Sequence, residues 1–596
     1  MQQEALQGFG SPRICTDNPR RSPSQPLSPR SSSRAKTRTR NAIACDTCRS
    51  RRTKCDSRRP SCSYCRSRGI DCHYQPAVEA PASRFEVELA AINQRLDHLT
   101  NLLSSSPSHS YPHASHGSAN SDDTREQFSD QENTPFKLLS TRRMMGVLGL
   151  EEDIADELVR MERKPLALNN PGSSRLYIVQ HQQAVCALAA FSEHIHIWYP
   201  ILGTGFSEQY FRIISGPLIP SPESCLVLLV AAIGLLAQET VQNSGLNGRA
   251  DSSYFEAALA SLPTVISDCG LTSVQCLVLF SIYYCCRLRP CQAHDYSLIA
   301  SFKVQNLLKG FDSIEREDSE TRAQAIRAYW AVLLLESELC AQFDLAKSGI
   351  WSLDEHVGLP DCRNTWQFDI DAGSPLAAIS PASVPSTTSA STDKVQSYFL
   401  AETSMRRMLH RCNTAIKRNI NGKIIYAPGI ALELELQLDE WYNYLPEVVR
   451  FHTYLNPTTL EVPPVCPLSN FLRVQYYCCK TAIYWPAVYQ AIEDGAANGQ
   501  LLDHCRRFFD SYIQLMPSII AAFQGCIVNR WTLFASIFMN SMATMKAVST
   551  TCLAAIGSPQ LYQCFASVRN VDQRIIEMSP SLALLRNAME KKLAVG

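Results

Sequence analysis

Three kinds of hydrophobic and polar pattern alternate along the chain. Residues 1–40 and 104–135 hold mostly Ser, Pro, Asn, His and charged residues with few apolar side chains. Neither can bury enough surface to order itself, so the first reads as a disordered basic tail and the second as a disordered linker. Between them Phe85, Leu89, Ile92, Leu96, Leu99 and Leu103 recur at alternating steps of four and three. That spacing places Leu89, Leu96 and Leu103 at one seam position and Phe85, Ile92 and Leu99 at the other, as a coiled coil requires. Residues 85–103 therefore predict a dimerisation helix, entered through a linker at 76–84 that carries Pro76 and Pro81.

From about residue 136 to 596 the pattern changes to long apolar-periodic stretches punctuated by Pro and Gly, which predicts a large all-helical domain. Leu434, Leu438, Trp441 and Leu445 show the helical step. Leu432, Leu434, Leu436 and Leu438 alternate as a strand would, but the Glu- and Leu-rich continuation favours helix. The apolar runs Cys225–Ala237 and Cys276–Cys286 are too short to span a bilayer and read as buried core helices of a soluble protein with no membrane partner. Two stretches read as loops: Ser374–Asp393, rich in Ser, Pro, Ala and Thr, and Glu461–Ser469, with three prolines. The predicted fold is thus mostly α.

Length and charge add an asymmetry. A chain of 596 residues, 45% of them apolar, is too long for one core and can bury a large one. Its net charge is zero, yet the first 75 residues hold sixteen Lys and Arg against five Asp and Glu, a net +11 that the remainder balances with −11. A basic module on an acidic body suits a polyanionic partner at one end. The chain has 24 cysteines, and the N-terminus lacks the apolar segment of a secretory signal. Thiols that are free or metal-bound, in a reducing compartment, are the expectation.

The chemistry concentrates in Cys45-x2-Cys48-x6-Cys55-x6-Cys62-x2-Cys65-x6-Cys72. Cys-x2-Cys is the spacing with which two side chains grip one tetrahedral zinc. One zinc leaves two sulfurs over. Two zincs need eight sulfur contacts, which six thiolates supply if two of them bridge. The run is a repeat of Cys-x2-Cys-x6-Cys, so the bridges fall on its leading thiols, Cys45 and Cys62. One zinc would then sit among Cys45, Cys48, Cys55 and Cys62, the other among Cys62, Cys65, Cys72 and Cys45. Both halves begin Cys-Arg-Ser-Arg, but Arg52, Thr53 and Lys54 of the first become Gly69, Ile70 and Asp71 of the second. With the thiols pinned inward, the first half presents a basic knuckle outward and is the better candidate for nucleic acid.

The residues Ala44–Asp56 (ACDTCRSRRTKCD) resemble the opening half of the fungal Zn2Cys6 binuclear-cluster transcription regulators, and Pro60 sits where that family turns between its halves. Further on, His196–Leu202 (HIWYPIL), Val274-Gln275, Arg327-Ala-Tyr-Trp330, Leu335-Glu336, Ser348-Gly349-Ile350 and Leu359-Pro360 resemble, in order, the family's middle-homology regulatory region, clearest over 180–360. The resemblance implies two Zn²⁺ per chain held by residues 41–75, a nuclear homodimer on double-stranded DNA, and contact with the RNA polymerase II machinery. It also implies regulation of a metabolic or biosynthetic gene cluster. Arg51 and Arg52 occupy the positions at which the family reads a CGG triplet, and Arg suits the O6/N7 edge of guanine. Arg49, Lys54, Arg58, Arg59, Arg66 and Arg68 would sit on phosphates, which position without specifying. The basic run Arg34–Arg40 adds nuclear import or further phosphate contact.

Two other readings compete: a zinc-dependent protein-binding adaptor, and an enzyme carried by the helical body. A RING or LIM module needs eight ligands including histidine, and His73 falls outside the spacing. The body has no His-Glu-x-x-His, no Gly-x-Ser-x-Gly and no phosphate-binding Lys loop. Gly203-Thr-Gly205 lacks the third glycine of a dinucleotide loop and reads as a turn. His194 and His196 beside Trp198 read as structural. Cys285-Cys286 and Cys478-Cys479 lie in apolar-aromatic helices and read as small core residues. No catalysis is expected.

Overall fold

A computed structural model of the chain describes residues 44–58, 60–73, 142–151, 153–164, 181–242, 250–311, 319–343, 345–368, 387–415, 424–455 and 466–595. The tail 1–40, the linkers 76–84 and 104–135, and the coiled coil expected at 85–103 lie outside the described residues. The chain divides into two compact units, Met1–Arg125 and Glu126–Gly596. Among the described residues the backbone is helical or irregular, with an isolated bridge between Gly203 and Thr365 and no strand.

Among the described residues the first unit has two short helices, α1 (Asp46–Ser50) and α2 (Ser63–Ser67). The principal helices of the second are α3 (His181–Phe191), α4 (Pro222–Gln242), α5 (Leu271–Cys286), α6 (Pro290–Phe311), α7 (Ser319–Cys340), α8 (Thr387–Ala415), α9 (Pro428–Asn443), α10 (Pro467–Asp494), α11 (Gly499–Gly525), α12 (Arg530–Ser549) and α13 (Pro580–Val595). No single helix among the described residues is long and apolar enough to cross a membrane. Helix α5 has no charged residue and is buried from Ser273 to Cys286, because a helix apolar on every side can only lie inside. Helix α4 crosses α3 so closely that a Cβ on Gly234 would lie 2.0 Å from the Ala187 carbonyl oxygen. Only glycine admits that approach. Cys285, Cys286 and Cys479 are buried and Cys478 is half-buried, as small core residues.

Polar side chains on the core helices fasten the intervening loops. On α7, Arg327 donates to the Asp361 carbonyl at 2.8 Å, Tyr329 to that of Ile350 at 2.9 Å, and the Trp330 indole to that of Gly358 at 2.9 Å. Glu336 accepts from both the amide (2.9 Å) and the hydroxyl (2.6 Å) of Ser348. The motif residues Arg327 to Glu336 thus hold the segment from Ser348 to Asp361 along one helix. The His196–Leu202 segment is fixed likewise: Gln275 donates to the Ile201 carbonyl at 2.7 Å and the Trp366 amide to that of Leu202 at 3.0 Å. His196 is structural, its Nε2 accepting from the Leu202 amide at 3.3 Å against the edge of Trp366. Gly203-Thr-Gly205 forms a bridge and turn leading into a short helix, Phe206–Ile214.

Two boundaries differ from expectation. Helix α8 starts at Thr387, so 387–393 is helix and not loop, while 374–386 lies outside the described residues. Extending a helix already nucleated over the apolar-periodic Val395–Met405 costs far less than starting one, so weak formers join it. Similarly α10 begins at Pro467, where a proline at the first helical position opens the helix and does not interrupt it. The leucine alternation of 432–438 is helical: Leu434 and Leu438 face inward while Leu432 and Leu436 are exposed. Residues two apart on a helix lie about 200° apart, so alternation also arises from a helix apolar on two sides.

Burial, and secondarily the Arg327 charge, pulls the His196 pKa down to about 3. The folded state therefore holds this imidazole neutral, and its contribution is present above the unfolded value near 6.5 and lost as pH falls towards 3. Between pH 6 and pH 5 the unfolding free energy of the full chain should drop by about 1 kcal/mol more than that of His196→Gln, which keeps an acceptor for Leu202. Denaturant titrations at the two pH values measure this difference. Equal drops in the two proteins would place the titration elsewhere.

Candidate metal centre and nucleic-acid interface

The segment 44–73 is too short and polar for an apolar core, and its centre is sulfur. Cys45, Cys48, Cys62 and Cys65 are fully buried, with Cys55 and Cys72 partly so. The Sγ atoms of Cys45 and Cys62 are 3.8 Å apart, Cys45 and Cys65 3.7 Å, and Cys48 and Cys62 3.7 Å. Four thiolates on one tetrahedral zinc, with Zn–S near 2.3 Å, sit about 3.8 Å from one another. The spacing fits zinc. Two quartets, Cys45–Cys48–Cys55–Cys62 and Cys45–Cys62–Cys65–Cys72, have all their sulfurs within 4.8 Å of one another, with Cys45 and Cys62 common to both. Backbone amides point at the sulfurs as well: Cys48 at Cys45 (3.4 Å), Cys65 at Cys62 (3.4 Å) and Cys62 at Cys72 (3.3 Å). Such N–H···S contacts favour the thiolate, whereas burial pushes the Cys45 and Cys65 thiols up when no cation neutralises them.

The two halves are tied crosswise. At the start of α1 the Asp46 amide donates to the His73 carbonyl at 2.9 Å and the Thr47 hydroxyl to that of Asp71 at 2.8 Å. At the start of α2 the Ser63 amide (3.0 Å) and hydroxyl (2.5 Å) both donate to the Asp56 carboxylate. These contacts hold that carboxyl below its usual range. Asp56 and Thr47 are structural residues that cysteine spacing alone does not reveal. The repeat does not reveal them either, since Tyr64 and His73 stand at the equivalent positions of the second half.

Both helices end in the same turn. The amide of Thr53 bonds the Cys48 carbonyl and that of Ile70 the Cys65 carbonyl, each at 3.0 Å, a Schellman closure that needs a left-handed residue just before the donor. In the second half that residue is Gly69, φ +59°; in the first it is Arg52, φ +51°. Glycine takes this conformation freely and arginine does not. Arg51, Arg52 and Lys54 are all exposed, so the first half carries its basic knuckle outward. Arg66 and Arg68 are exposed on the second half, with Arg68 lying 5.1 Å over the Tyr64 ring. Arg58 lies 3.6 Å from the Asp56 carboxylate. The Arg49 side chain and Arg59 lie outside the described residues, as do Phe85, Leu89, Ile92, Leu96, Leu99 and Leu103.

Two sulfur quartets sharing two thiols, beside an exposed basic turn, define a zinc-organised nucleic-acid-binding module. Residues 43–80 match the fungal Zn(2)-Cys(6) binuclear cluster domain and residues 188–443 the fungal specific transcription factor domain. A protein of Aspergillus rugulosus named "Putative transcription factor ecdB" is 47% identical over 574 residues, covering 94% of this chain and 98% of that one. No solved structure matches. The chain belongs to the fungal Zn2Cys6 transcription factors: it is a DNA-binding transcription regulator that carries two zinc ions.

A left-handed arginine costs about 1 kcal/mol relative to glycine. Because metal binding is folding energy in a unit with no core of its own, Arg52→Gly should hold zinc about five-fold more tightly against a chelator. Two ions per chain should remain. Unchanged or weaker retention would mean that the side chain offsets the strain by contacts of its own.

Proposed function

We propose that the cluster is a sequence reader in which Cys45, Cys48, Cys55 and Cys62 hold one zinc and Cys45, Cys62, Cys65 and Cys72 the other. The metals supply the cross-links that a core would supply elsewhere, and the protein's own side chains do the reading. The observation that carries this is the pair of quartets sharing Cys45 and Cys62 beside the exposed Arg51–Lys54 turn. Arg51 and Arg52 make the base contacts to a CGG-like triplet in the major groove, where a guanidinium meets guanine O6 and N7. Arg49, Lys54, Arg59, Arg66 and Arg68 lie on phosphates. Arg58 does so as well, exchanging its Asp56 partner for DNA.

The reading extends to the rest of the chain. Residues 41–75 act as the DNA-binding unit, 85–103 as a homodimerising coiled coil, and 136–596 as a regulatory body that is not catalytic. The protein works in the nucleus, meets the RNA polymerase II machinery there, and serves a metabolic or biosynthetic gene cluster. One triplet discriminates too little against a genome of competing sites, since each good bidentate contact is worth about 1–3 kcal/mol. Two clusters on one dimer double the specific contacts and fix the spacing of the half-sites.

Selection from random DNA should return paired CGG-like triplets for the full chain. Arg52→Ala should lower affinity for the selected site roughly ten-fold to hundred-fold while leaving affinity for unrelated DNA almost unchanged. An equal loss on both DNAs would make Arg52 a phosphate contact.

Leu96→Glu places a charge in the seam of the 85–103 helix. It should convert the dimer to a monomer in sedimentation and abolish gel-shift of paired triplets, with two zinc ions retained. A variant that still sediments and binds as a dimer would move the dimer interface into the helical body.

A further inference from the structure

The buried face of the short helix Ile154–Glu162 consists of Ile154, Leu158 and Glu162, a step of four that ends on an acid where an apolar residue would be expected. Glu162 is 0% exposed. One carboxylate oxygen, Oε1, accepts from the Ser581 hydroxyl at the start of α13, while the other, Oε2, is buried without a hydrogen-bond partner among the described residues. Ser581 in turn accepts from the Trp531 indole of α12 at 2.9 Å and lies 2.9 Å from the Ser579 hydroxyl. The Glu162 main-chain carbonyl accepts from the Gln292 side chain of α6 at 2.8 Å. The acid thus sits where this helix meets α6, α12 and α13, and its bond to Ser581 spans 419 residues of chain.

Among the described residues no cation pairs with this carboxyl. Around it stand Arg289 and Cys291 at the start of α6, with His294 and Asp295 a turn further on, and Arg163 next in the chain; α12 and α13 contribute Trp531, Ser579 and Ser581. Arg289 attracts the carboxylate through space, without an ion pair. A carboxyl withdrawn from water with no cation beside it gives up its charge by keeping a proton. Burial accordingly pushes the Glu162 carboxyl up to about 6, with the Ser581 hydrogen bond and the Arg289 charge opposing. Ser581 can serve both forms, its proton turning towards Glu162 when the acid is ionised and towards Ser579 when the acid itself donates.

We propose that Glu162 is a proton-operated clasp between the beginning and the end of the helical body. Neutral, it holds the helix Ile154–Glu162 against α12 and α13. Ionised, it holds less firmly, because the charge is left inside with one hydrogen bond and no counter-ion. The folded carboxyl binds its proton more tightly than the unfolded one, whose value is near 4.5, so the clasp is fully closed below that pH and loosens as pH rises through 6. The helix meets the body through one face only, which makes its release a local opening.

Hydrogen exchange of the full zinc-loaded chain tests this, with protection corrected for the intrinsic rate at each pH. Between pH 5 and pH 7.5 the protection of amides in Ile154–Glu162 should fall roughly eight-fold more than in Glu162→Gln, which keeps an acceptor for Ser581 and cannot ionise. Over the same range the buried helix α5 should behave alike in the two proteins. A fall in 154–162 no larger than that of a folded Glu162→Gln variant would overturn the proposal. So would an equal fall in α5 of the unaltered protein, which would mean that the charge acts on the whole body and not on a clasp. Where Glu162→Gln does not fold, the unaltered protein decides: 154–162 losing protection ahead of α5 supports the clasp, and the two in step overturn it.

Discussion

Six sulfur atoms crowded into two overlapping quartets, each within 4.8 Å, organise the described part of the first unit. A thirty-residue polar segment cannot order itself by excluding water, because it has almost no apolar surface to exclude. Its order comes from sulfurs placed where two cations can share them, with Cys45 and Cys62 central to both quartets. This arrangement accounts for the short helices, which carry the Cys-x2-Cys pairs, and for the crosswise ties that set each helix start against the other half. It accounts for the outward turn too. With Cys48 and Cys55 directed inward, Arg51, Arg52 and Lys54 between them turn to solvent, and all three are basic.

The second unit is ordered by the opposite means. Helices such as α4 and α5 are apolar on every side, and the hydrophobic effect alone would let them slide or rotate. Direction is added by a few buried polar groups. Arg473 shows this well: nearly buried, it donates to the carbonyls of His452 (2.9 Å) and Gln514 (2.5 Å) and to the Gln514 side chain (2.8 Å), with no carboxylate among these partners. Burial lowers its pKa to about 10, yet it stays a cation. Such a residue fits one arrangement of its neighbours and penalises the rest.

Much of this was legible in the sequence, and the reasons for what was not are specific. The quartets could be read because spacing along the chain dictates which thiols reach a common centre, and the repeat named the two that are shared. Helices were readable where apolar residues keep step, as at Leu434 and Leu438. The start of α8 was not, because its first turns are Thr, Ser and Ala, whose state is decided by the apolar-periodic residues on their C-terminal side. The left-handed turn at Arg52 was concealed by its own side chain, since only alignment with Gly69 exposes it. Least legible were the polar ties between segments far apart in the chain. Gln342 meets Ser536 across 194 residues and Arg406 meets Glu338 across 68, distances over which local pattern carries no information.

The helix α7 grips the segment from Ser348 to Asp361 mainly by its backbone, while Ile350 is buried, the Asp354 carboxylate pairs with Arg407 and Trp351 stacks on His410. Arg327, Tyr329 and Trp330 take carbonyl oxygens of Asp361, Ile350 and Gly358, and only at Ser348 does the helix reach for a side chain. Main-chain atoms are common to every residue type, so the route of this loop is recorded largely in the helix beneath it, with Ser348, the left-handed Gly349 and the buried Ile350 as the loop's own share. Descendants of this gene are therefore at liberty to rewrite the exposed letters of the loop, such as Ser352, Glu355 and His356, and with them the character of the surface it forms, without rerouting the chain. The helix residues have no such latitude.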